Sequence, residues 1–447
     1  MEPTAAPAPN QFALLRQRRF APFFWTQFGG AANDNLFKFA FTVMVTYRAQ
    51  AGAALYPALT VNLIAALYIL PFVLFSATSG QLADKLPKDR LMRGVKLLEI
   101  AIMAMALWGF ATGNMPALLV CAFGMGMHSS VFGPAKYAYL PQHLSAAELT
   151  GGNGMTEMGT FVAILLGNLA GGLLMSVRQG PWLAGSACLA VALAGWFASR
   201  GIPPTPALDT QLPVRWNPLR ETLSNLRLAG RDPVLLQALL AISWMWFYGV
   251  AFLTQFPVFA KDVLGGSEQV ASLLLIVFSM GVGLGSLACE WLARGRIEPG
   301  LVPLGALGMS AFGFDLYLGA HAMAAPGPLL GAGAFVAQPA HWRVMVDLFG
   351  LSASAGIYSV PLYALIQQHT PASHRARVIA ANNILNALYM IVCTGYCAVL
   401  LSLGVSVPVL LLSIALLNLL AGAWLLWRQP VYGRRFMAWL RRETQQV

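Results

Sequence analysis

Twelve long apolar segments constrain the fold of this sequence more than any other feature. Each is about as long as the helix of roughly 20 residues that crosses the hydrocarbon core of a bilayer. Backbone groups cannot stay unpaired in lipid, so such segments must be helical. Their limits are 20–48, 58–82, 91–112, 115–139, 155–178, 181–199, 234–260, 268–293, 299–321, 341–367, 377–403 and 406–427. The sequence therefore predicts an all-α membrane protein with twelve transmembrane helices.

The composition excludes the other classes of protein. Only 10% of the 447 residues are charged and 57% are hydrophobic, whereas an ordinary soluble domain has about 25% charged residues. A disordered chain would be polar and poor in aromatic residues. The net charge of +11 comes from cations spread among short connecting segments, not from one basic face of a soluble domain. We expect membrane lipid as a partner, and no nucleic acid.

The connecting segments also predict the topology. If the N-terminus lies inside, the inner segments hold 22 of the 28 lysines and arginines and the outer segments hold four, while Lys38 and Lys96 lie within helices. Cations accumulate in cytoplasmic loops. We therefore expect a multi-pass protein of the bacterial inner membrane with both termini in the cytoplasm.

The longest polar stretch divides the chain into two sets of six segments. Asn217 and Pro218 are typical of a helix start, and Leu219, Leu223 and Leu226 follow on one face. We expect a short amphipathic helix on the inner membrane surface, with a plain solvated linker as the alternative. The predicted parts are a tail at 1–19, a bundle at 20–199, a linker at 200–233, a bundle at 234–427 and a tail at 428–447.

An internal repeat relates the two sets. The pattern Y-A-x-[LI]-x-Q-H occurs at 137–143 and again at 363–369, an offset of 226 residues. A second match, N-x-x-x-[EN], occurs at 153–157 and 382–386, an offset of 229 residues. Two matches at nearly one offset indicate a duplicated six-helix unit. Parallel repeats related by an axis normal to the membrane are the arrangement of major facilitator transporters, and we predict that fold in two pseudo-symmetric bundles.

The loop between the second and third segments supports this prediction. Its residues 80–90, GQLADKLPKDR, resemble the major facilitator signature, although Pro87 replaces the usual glycine. Gly80 would let neighbouring helices approach closely. Asp84 would accept hydrogen bonds from a helix N-terminus or pair with a cation. We predict Gly80, Asp84 and Arg90 as gating residues, and a basic membrane anchor is the alternative.

A carboxylate near the middle of the first segment is the most informative single residue. Asp34 lies about 21 Å along that helix, where a lone acid costs about 2.5–3.5 kcal/mol and should face a polar cavity. Lys38 is one turn further on, and Asn33 and Asn35 enlarge the polar patch. The alternative is an Asp34–Lys38 pair that only neutralises itself.

Further polar residues extend the candidate substrate-binding set: Lys136 in the fourth segment, Asn153 and Glu157 at the fifth, and Asn382 at the eleventh. Helix-terminal roles and interfacial snorkelling are their alternatives. The aromatic residues Trp244, Trp246, Phe247 and Tyr248 are interpreted as interfacial, and the alternative is that they line a cavity.

No phosphate-binding loop, nucleophile elbow or metal-ligand spacing occurs in the sequence. We therefore predict no catalytic residues, no metal and no cofactor.

Several of these stretches are similar to the bacterial lysophospholipid transporter family. They are Gln27 to Lys38, Gly133 to Tyr137, Asn153 to Glu157, Pro361 to Ala364 and Ala381 to Asn383. The resemblance implies flipping of lysophospholipids, such as lysophosphatidylethanolamine, across the bacterial inner membrane for re-acylation. It implies a separate acyl-acyl carrier protein synthetase/acyltransferase as a partner, and head-group contacts by Asp34 and Lys136. One departure is that some members have an arginine in the seventh helix, whereas residues 244–257 contain no cation.

We therefore expect a monomeric secondary transporter that works by alternating access and is not an enzyme. A proton-coupled drug or metabolite antiporter, with Asp34 as its proton site, is the alternative. A scaffold that holds an acyltransferase at the membrane is a third hypothesis, from a different class.

Overall fold

The computed structural model describes residues 10–48, 57–321, 323 and 328–441. Six long helices form the first half of this chain: α1 (Ala21–Arg48), α2 (Pro57–Lys85), α3 (Lys88–Thr112), α4 (Met115–His143), α5 (Ala146–Met175) and α6 (Gly180–Arg200). A linker helix, α7 (Pro218–Ala229), follows. The second half has α8 (Pro233–Val258), α9 (Glu268–Ala293), α10 (Leu301–His321), the short α11 (Ala332–Val336), α12 (Trp342–His369), α13 (Arg375–Ser402), α14 (Val407–Arg428) and α15 (Pro430–Leu440).

Eleven helices within the described ranges are long and apolar enough to cross a membrane, namely α2–α6, α8–α10 and α12–α14. The predicted all-helical membrane fold is confirmed. α1 has 28 residues, but its polar residues around Asp34 lower its hydropathy below that of the others. It packs along α5 and α6 as a member of the first half, and its place as a twelfth span stays a prediction.

The fifth helix is longer than the sequence predicts. It begins at Ala146 rather than at 155. Ser145 precedes it, and the Glu148 side chain accepts a hydrogen bond from the Ser145 backbone N–H at 2.9 Å. This capping arrangement starts the helix in a stretch whose low hydropathy argued for a loop.

The two halves are each held by internal helix contacts and meet along a limited set of helices. α1 packs on α5 and α6, and α2 on α4, whereas α12 packs on α9 and α10, and α13 on α8. Between the halves, α5 contacts α9, and α13 contacts α2 and α4. A central space between the halves is therefore bordered by helices from both.

Both ends of the described chain lie at one face of the molecule, which we call the terminal face. The linker contacts the α4 end there, because His143 Nε2 lies 2.8 Å from Thr205 Oγ1. Trp439 of α15 donates to the Leu292 carbonyl at the end of α9. The α2–α3, α4–α5, α9–α10 and α12–α13 connections therefore share this face.

The linker helix predicted from the leucine spacing is present. Asn217 caps it by accepting from the Arg220 backbone N–H at 3.1 Å. Leu219 and Leu223 are 76% and 52% exposed, while Glu221 and Asn225 are buried against the rest of the molecule. α7 contacts both α2 and α13, so it bridges the two halves at the terminal face.

Candidate functional site

A cavity of about 390 Å³ lies between the halves. We call it the central cavity. α1, α2, α4 and α5 line it from the first half, and α8, α12 and α13 line it from the second. Its wall consists of Gln27, Gly30, Ala31, Asp34, Asn35, Lys38, Ala65, Tyr68, Ile69, Phe72, His128, Ser129, Phe132, Gly133, Lys136, Tyr137, Glu157, Thr160, Ile164, Trp246, Tyr363, Asn383, Asn386, Ala387 and Met390.

Asp34 lies on the wall of this cavity and is hydrogen-bonded to α4. Its Oδ2 accepts from Ser129 Oγ at 2.7 Å, whereas its Oδ1 has no hydrogen-bond partner among the described residues. The ammonium of Lys38 lies 4.4 Å from the centroid of the Tyr68 ring. Among the described residues, Asp34 and Lys38 do not approach to ion-pair distance, but each lies within the electrostatic field of the other. Both charges border the cavity, and the self-neutralising pair stays an alternative hypothesis.

A second pair of opposite charges lies nearer the terminal face. Glu157 accepts a short hydrogen bond from the Tyr137 hydroxyl. Lys136 donates to Thr160 Oγ1 at 2.9 Å, and its ammonium is 4.9 Å from the Tyr137 ring centroid. These groups belong to neighbouring turns of α4 and α5. The central cavity is thus bordered by two lysines and two carboxylates, whose formal charges sum to zero.

Apolar and aromatic side chains form the rest of the wall. Ile69 and Phe72 come from α2, Ile164 from α5 and Met390 from α13. Trp246 of α8 also lines the cavity. A ligand that fits this wall needs a charged part and an apolar part.

The aromatic run of α8 faces the interior, and Trp246 lines the cavity, which favours the cavity-lining alternative over the interfacial interpretation. Tyr248 is fully buried and donates to the Met309 carbonyl at 2.9 Å. The Trp244 indole donates to Asn418 Oδ1 at 2.8 Å. Aromatic clusters occur both at membrane interfaces and in protein interiors, so the sequence alone did not decide between these two positions.

Asn35 lines the cavity, but Asn33 does not. Successive residues turn by about 100° around a helix, so Asn33 and Asn35 point in very different directions. Asn33 is fully buried and donates to Glu99 Oε1 of α3 at 2.7 Å. The structure therefore removes Asn33 from the group that borders the cavity.

Glu99 is the centre of a buried charged cluster that the sequence reading did not identify. Its Oε2 accepts from Lys96 Nζ at 2.6 Å and lies 3.1 Å from His128 Nε2. His128 also lines the cavity, and its Nδ1 is 3.4 Å from the Ser129 hydroxyl that donates to Asp34. The only signal in the sequence is an i, i+3 lysine–glutamate pair within an apolar segment.

Asn153 and Asn382 lie outside the cavity wall. Asn153 and Gln367 form a reciprocal amide pair between α5 and α12, with distances of 2.7 and 3.0 Å. Asn382 is 1% exposed, and the neighbouring Asn383 and Asn386 line the cavity instead. In each copy of the repeat, the last residue, Glu157 or Asn386, faces the cavity, whereas the first residue, Asn153 or Asn382, does not.

The repeated tyrosines meet between the halves and close the cavity toward the terminal face. The rings of Tyr137 and Tyr363 stack with centroids 4.4 Å apart and planes 3° apart. Gln367 also donates to the Tyr137 carbonyl at 3.1 Å. Together with the Asn153–Gln367 pair, this stack forms the inner layer of what we call the terminal seal. Equivalent positions of the repeat are thus in direct contact.

Asp84 forms the outer layer of the terminal seal. It is fully buried and accepts from the backbone N–H groups of Ala376 and Arg377 at 3.1 and 3.3 Å. The Arg377 Nε donates to it at 3.1 Å. The carboxylate therefore binds the N-terminus of α13, where the helix dipole favours a negative charge.

Gly80 permits this contact, whereas Arg90 takes no part in it. A Cβ atom on Gly80 would lie 2.7 Å from the Ala380 Cβ, so α2 and α13 touch through the glycine. Arg90 is exposed, and no ion pair is recorded for it in the described residues. The cation of the seal is Arg377, which belongs to the other half and is distant in sequence.

Among the described residues, the hydrogen bonds and ring contacts between the halves lie at or below the floor of the cavity. Besides the terminal seal, they include Gln11 to the Leu287 carbonyl and Thr150 to the Arg296 carbonyl, both at the terminal face. The structure is thus closed toward the terminal face.

Within the described ranges, no group of three or more His, Cys, Asp or Glu residues is placed to hold a metal ion. The five cysteines are buried and unpaired.

Comparison with solved structures assigns the architecture. The human organic anion transporter MFSD10 aligns with a TM-score of 0.73 over 93% of this chain and all of that chain, at 13% identity. The fucose:proton symporter FucP of E. coli, in the outward conformation, aligns with a TM-score of 0.67 over 92% of this chain and 98% of that chain, at 14% identity. At such identity the likeness shows the fold alone.

Comparison of sequences gives closer relatives. Residues 23–392 match the family model of the Major Facilitator Superfamily. The lysophospholipid transporter LplT of Enterobacter sp. (strain 638) is 26% identical over 388 residues, which cover 85% of this chain and 88% of that protein. LplT of Serratia proteamaculans (strain 568) is 27% identical over 388 residues, with coverage of 86% and 88%.

Proposed function

The chain belongs to the major facilitator superfamily, and from that premise we propose that it is a secondary transporter of lysophospholipids. The relatives that resemble it over most of their length are lysophospholipid transporters. The observation that supports the proposal most directly is the charge-balanced group in a largely apolar cavity.

The chemistry of lysophosphatidylethanolamine matches this cavity. Its head group has a negative phosphate and a positive ammonium, and it has a single acyl chain. Lys38 and Lys136 suit the phosphate, while Asp34 and Glu157 suit the ammonium. The carboxylate of Asp34 borders the cavity, which places it where a ligand ammonium could approach. The apolar residues of α2, α5 and α13 suit the acyl chain.

Alternating access fits the distribution of contacts between the halves. The terminal seal closes one side of the cavity, and the contacts between the halves among the described residues lie on that side. By the distribution of cations, the terminal face is cytoplasmic, so a lysolipid would enter from the outer side and leave inward when the seal parts. We place the protein in the bacterial inner membrane as a monomer, with a separate acyl-acyl carrier protein synthetase/acyltransferase re-acylating the lipid that arrives.

Uptake of labelled lysophosphatidylethanolamine by spheroplasts tests the proposal. A hydrogen bond to a charged group is worth about 1.5–3 kcal/mol, which corresponds to roughly 10–150-fold in affinity. We expect Asp34→Asn and Lys136→Ala to reduce uptake at low substrate concentration by a factor in that range. Asp262→Asn and Lys261→Ala, which change exposed residues, serve as matched controls.

Two results would count against the proposal. Uptake at the wild-type rate in both cavity variants would remove these residues from the mechanism. Uptake of drugs or metabolites that depends steeply on the proton gradient, without any preference for lysolipids, would favour the antiporter.

A further inference from the structure

A second cavity, of about 450 Å³, lies at the terminal face between α7, the linker before it and the start of α13. We call it the linker pocket. Its wall includes Gln81 of α2 and Asn225 of α7, together with five arginines: Arg215, Arg220, Arg227, Arg231 and Arg377. Neither the transport cycle nor the family resemblance assigns it a role.

Four of these arginines have no anionic partner. Arg377 is engaged by Asp84 at 3.1 Å and by Asp209 at 3.6 Å. The other four are exposed, and none is in an ion pair recorded for the described residues. Glu221 also borders the pocket and offsets one of these four positive charges, and its Oε2 accepts from Gln81 Nε2 at 2.8 Å. The pocket therefore has an excess of positive charge. The arginines around it repel one another, and a bound anion would reduce that repulsion.

A buried donor without a partner also belongs to the pocket. Asn225 is 2% exposed and lines the pocket, yet its Nδ2 has no hydrogen-bond partner among the described residues. Most buried polar side-chain atoms in proteins do have a partner. An acceptor oxygen of a bound ligand would satisfy this amide.

The chemistry of the wall identifies the class of ligand. Guanidinium groups bind phosphate through paired, charge-assisted hydrogen bonds. The same helix exposes Leu219 and Leu223 in a strip beside Arg220 and Arg227, and Trp216 before it is 75% exposed. A helix whose cations flank an exposed apolar strip lies in the interfacial region of a membrane. That position puts the pocket at the level of lipid head groups.

We propose that the linker pocket binds a phosphate group, that of an anionic phospholipid in the leaflet beside the terminal face. Gln81 belongs to the first half and Arg377 to the second, and Arg377 also bonds Asp84 in the terminal seal. Parting of α2 and α13 would dismantle the pocket. A ligand that binds one conformation more tightly shifts the equilibrium toward it, so the lipid favours the sealed state.

Lipid binding to the purified full-length protein tests the proposal. The protein is delipidated in detergent and titrated with phosphatidylglycerol, and retained lipid is counted by native mass spectrometry. Arg220→Gln/Arg227→Gln changes two exposed arginines of the pocket. Arg18→Gln/Arg434→Gln changes two exposed arginines elsewhere on the terminal face and is the matched control. Circular dichroism and gel filtration verify that both variants are folded.

We expect the wild-type protein and the control variant to retain phosphatidylglycerol, with at least tenfold weaker retention in Arg220→Gln/Arg227→Gln. Asn225→Leu should weaken retention in the same direction. Equal retention by the two double variants would overturn the proposal, because the arginines would then be general membrane anchors.

A second arm titrates inorganic phosphate against sodium chloride of the same ionic strength. Displacement of the lipid by phosphate at millimolar concentration would assign the site to soluble phosphate and overturn the lipid assignment. No transport is measured, so either result leaves the lysophospholipid proposal unaffected.

Discussion

Replacing Gly80 with alanine should loosen the terminal seal. The added Cβ atom would lie 2.7 Å from the Ala380 Cβ and 2.9 Å from both the Ala376 carbonyl oxygen and the Arg377 Cα. Non-bonded carbon atoms in proteins rest about 3.5–4.0 Å apart. Two of these three neighbours are backbone atoms of α13, which cannot rotate away, so α2 and α13 must separate by roughly 0.8 Å at this point.

That separation acts on the hydrogen bonds of Asp84, one helical turn further along α2. Its bonds to α13 have lengths of 3.1–3.3 Å. The same displacement would lengthen them to about 3.9–4.1 Å, beyond the range of a hydrogen bond. Overpacking of a close contact costs about 1–3 kcal/mol, so the ratio of open to sealed molecules should rise roughly 5- to 150-fold.

Spin-label distance measurements check this prediction. Labels at Leu86→Cys and Gln368→Cys report on the two halves at the terminal face, and the native cysteines are buried. Gly94→Ala is the matched control, because a Cβ on Gly94 meets no atom within 4 Å while the gain in helix propensity is the same. Gly80→Ala should add a population at longer distance that Gly94→Ala lacks. Identical distance distributions in the two variants would refute the reasoning.

Two further substitutions probe buried charges. Asp84→Asn removes the charge that the α13 N-terminus binds and should also lengthen the spin-label distance; an unchanged distribution would mean that the carboxylate does not hold the seal. Glu99→Gln leaves Lys96 and His128 without their carboxylate in the interior of the first half, and breaking a buried pair costs about 3–5 kcal/mol. The thermal unfolding temperature in detergent should fall markedly, and a value equal to that of the exposed control Asp262→Asn would contradict the assignment of this cluster.

The sequence predicted the helices because hydropathy and length act along the chain. A segment of about 20 apolar residues must form a helix in lipid to pair its backbone groups. Eleven described helices have this length and hydropathy. α1 is not among these eleven helices, because the polar residues around Asp34 lower its hydropathy. The same polar residues made this segment the most informative one for predicting the site. The start of α5 was missed because a capping interaction at Ser145, rather than hydropathy, sets it.

The candidate site was predicted only in part, because facing direction depends on helix rotation and packing. Charged residues within apolar segments give a signal, and Asp34, Lys38, Lys136 and Glu157 all border the cavity. Asn33 and Asn382 are also polar residues within apolar segments, but their side chains point away from the cavity. Ser129 and Tyr68 are ordinary residues of apolar segments, so nothing in the sequence distinguishes them. Trp246 was singled out, but as an interfacial residue rather than as a cavity residue.

The partner of the gating carboxylate shows the same limit. Asp84 was expected to bind a helix N-terminus or a cation, and it binds both. The cation is 293 residues away, in the other half. A local reading of the loop favours Arg90, which is nearby in sequence, and only the packing of α2 on α13 identifies Arg377.

Photo-crosslinking with lysophosphatidylethanolamine tests the central claim most directly, since it locates the lipid in the protein. A photoreactive group in the acyl chain should label residues of the cavity wall such as Ile69, Phe72 and Met390. Excess unlabelled lysolipid should suppress that labelling, and Asp34→Asn should weaken it. Labelling confined to exposed positions such as Leu173 or Trp291, and unaffected by competitor, would contradict the account.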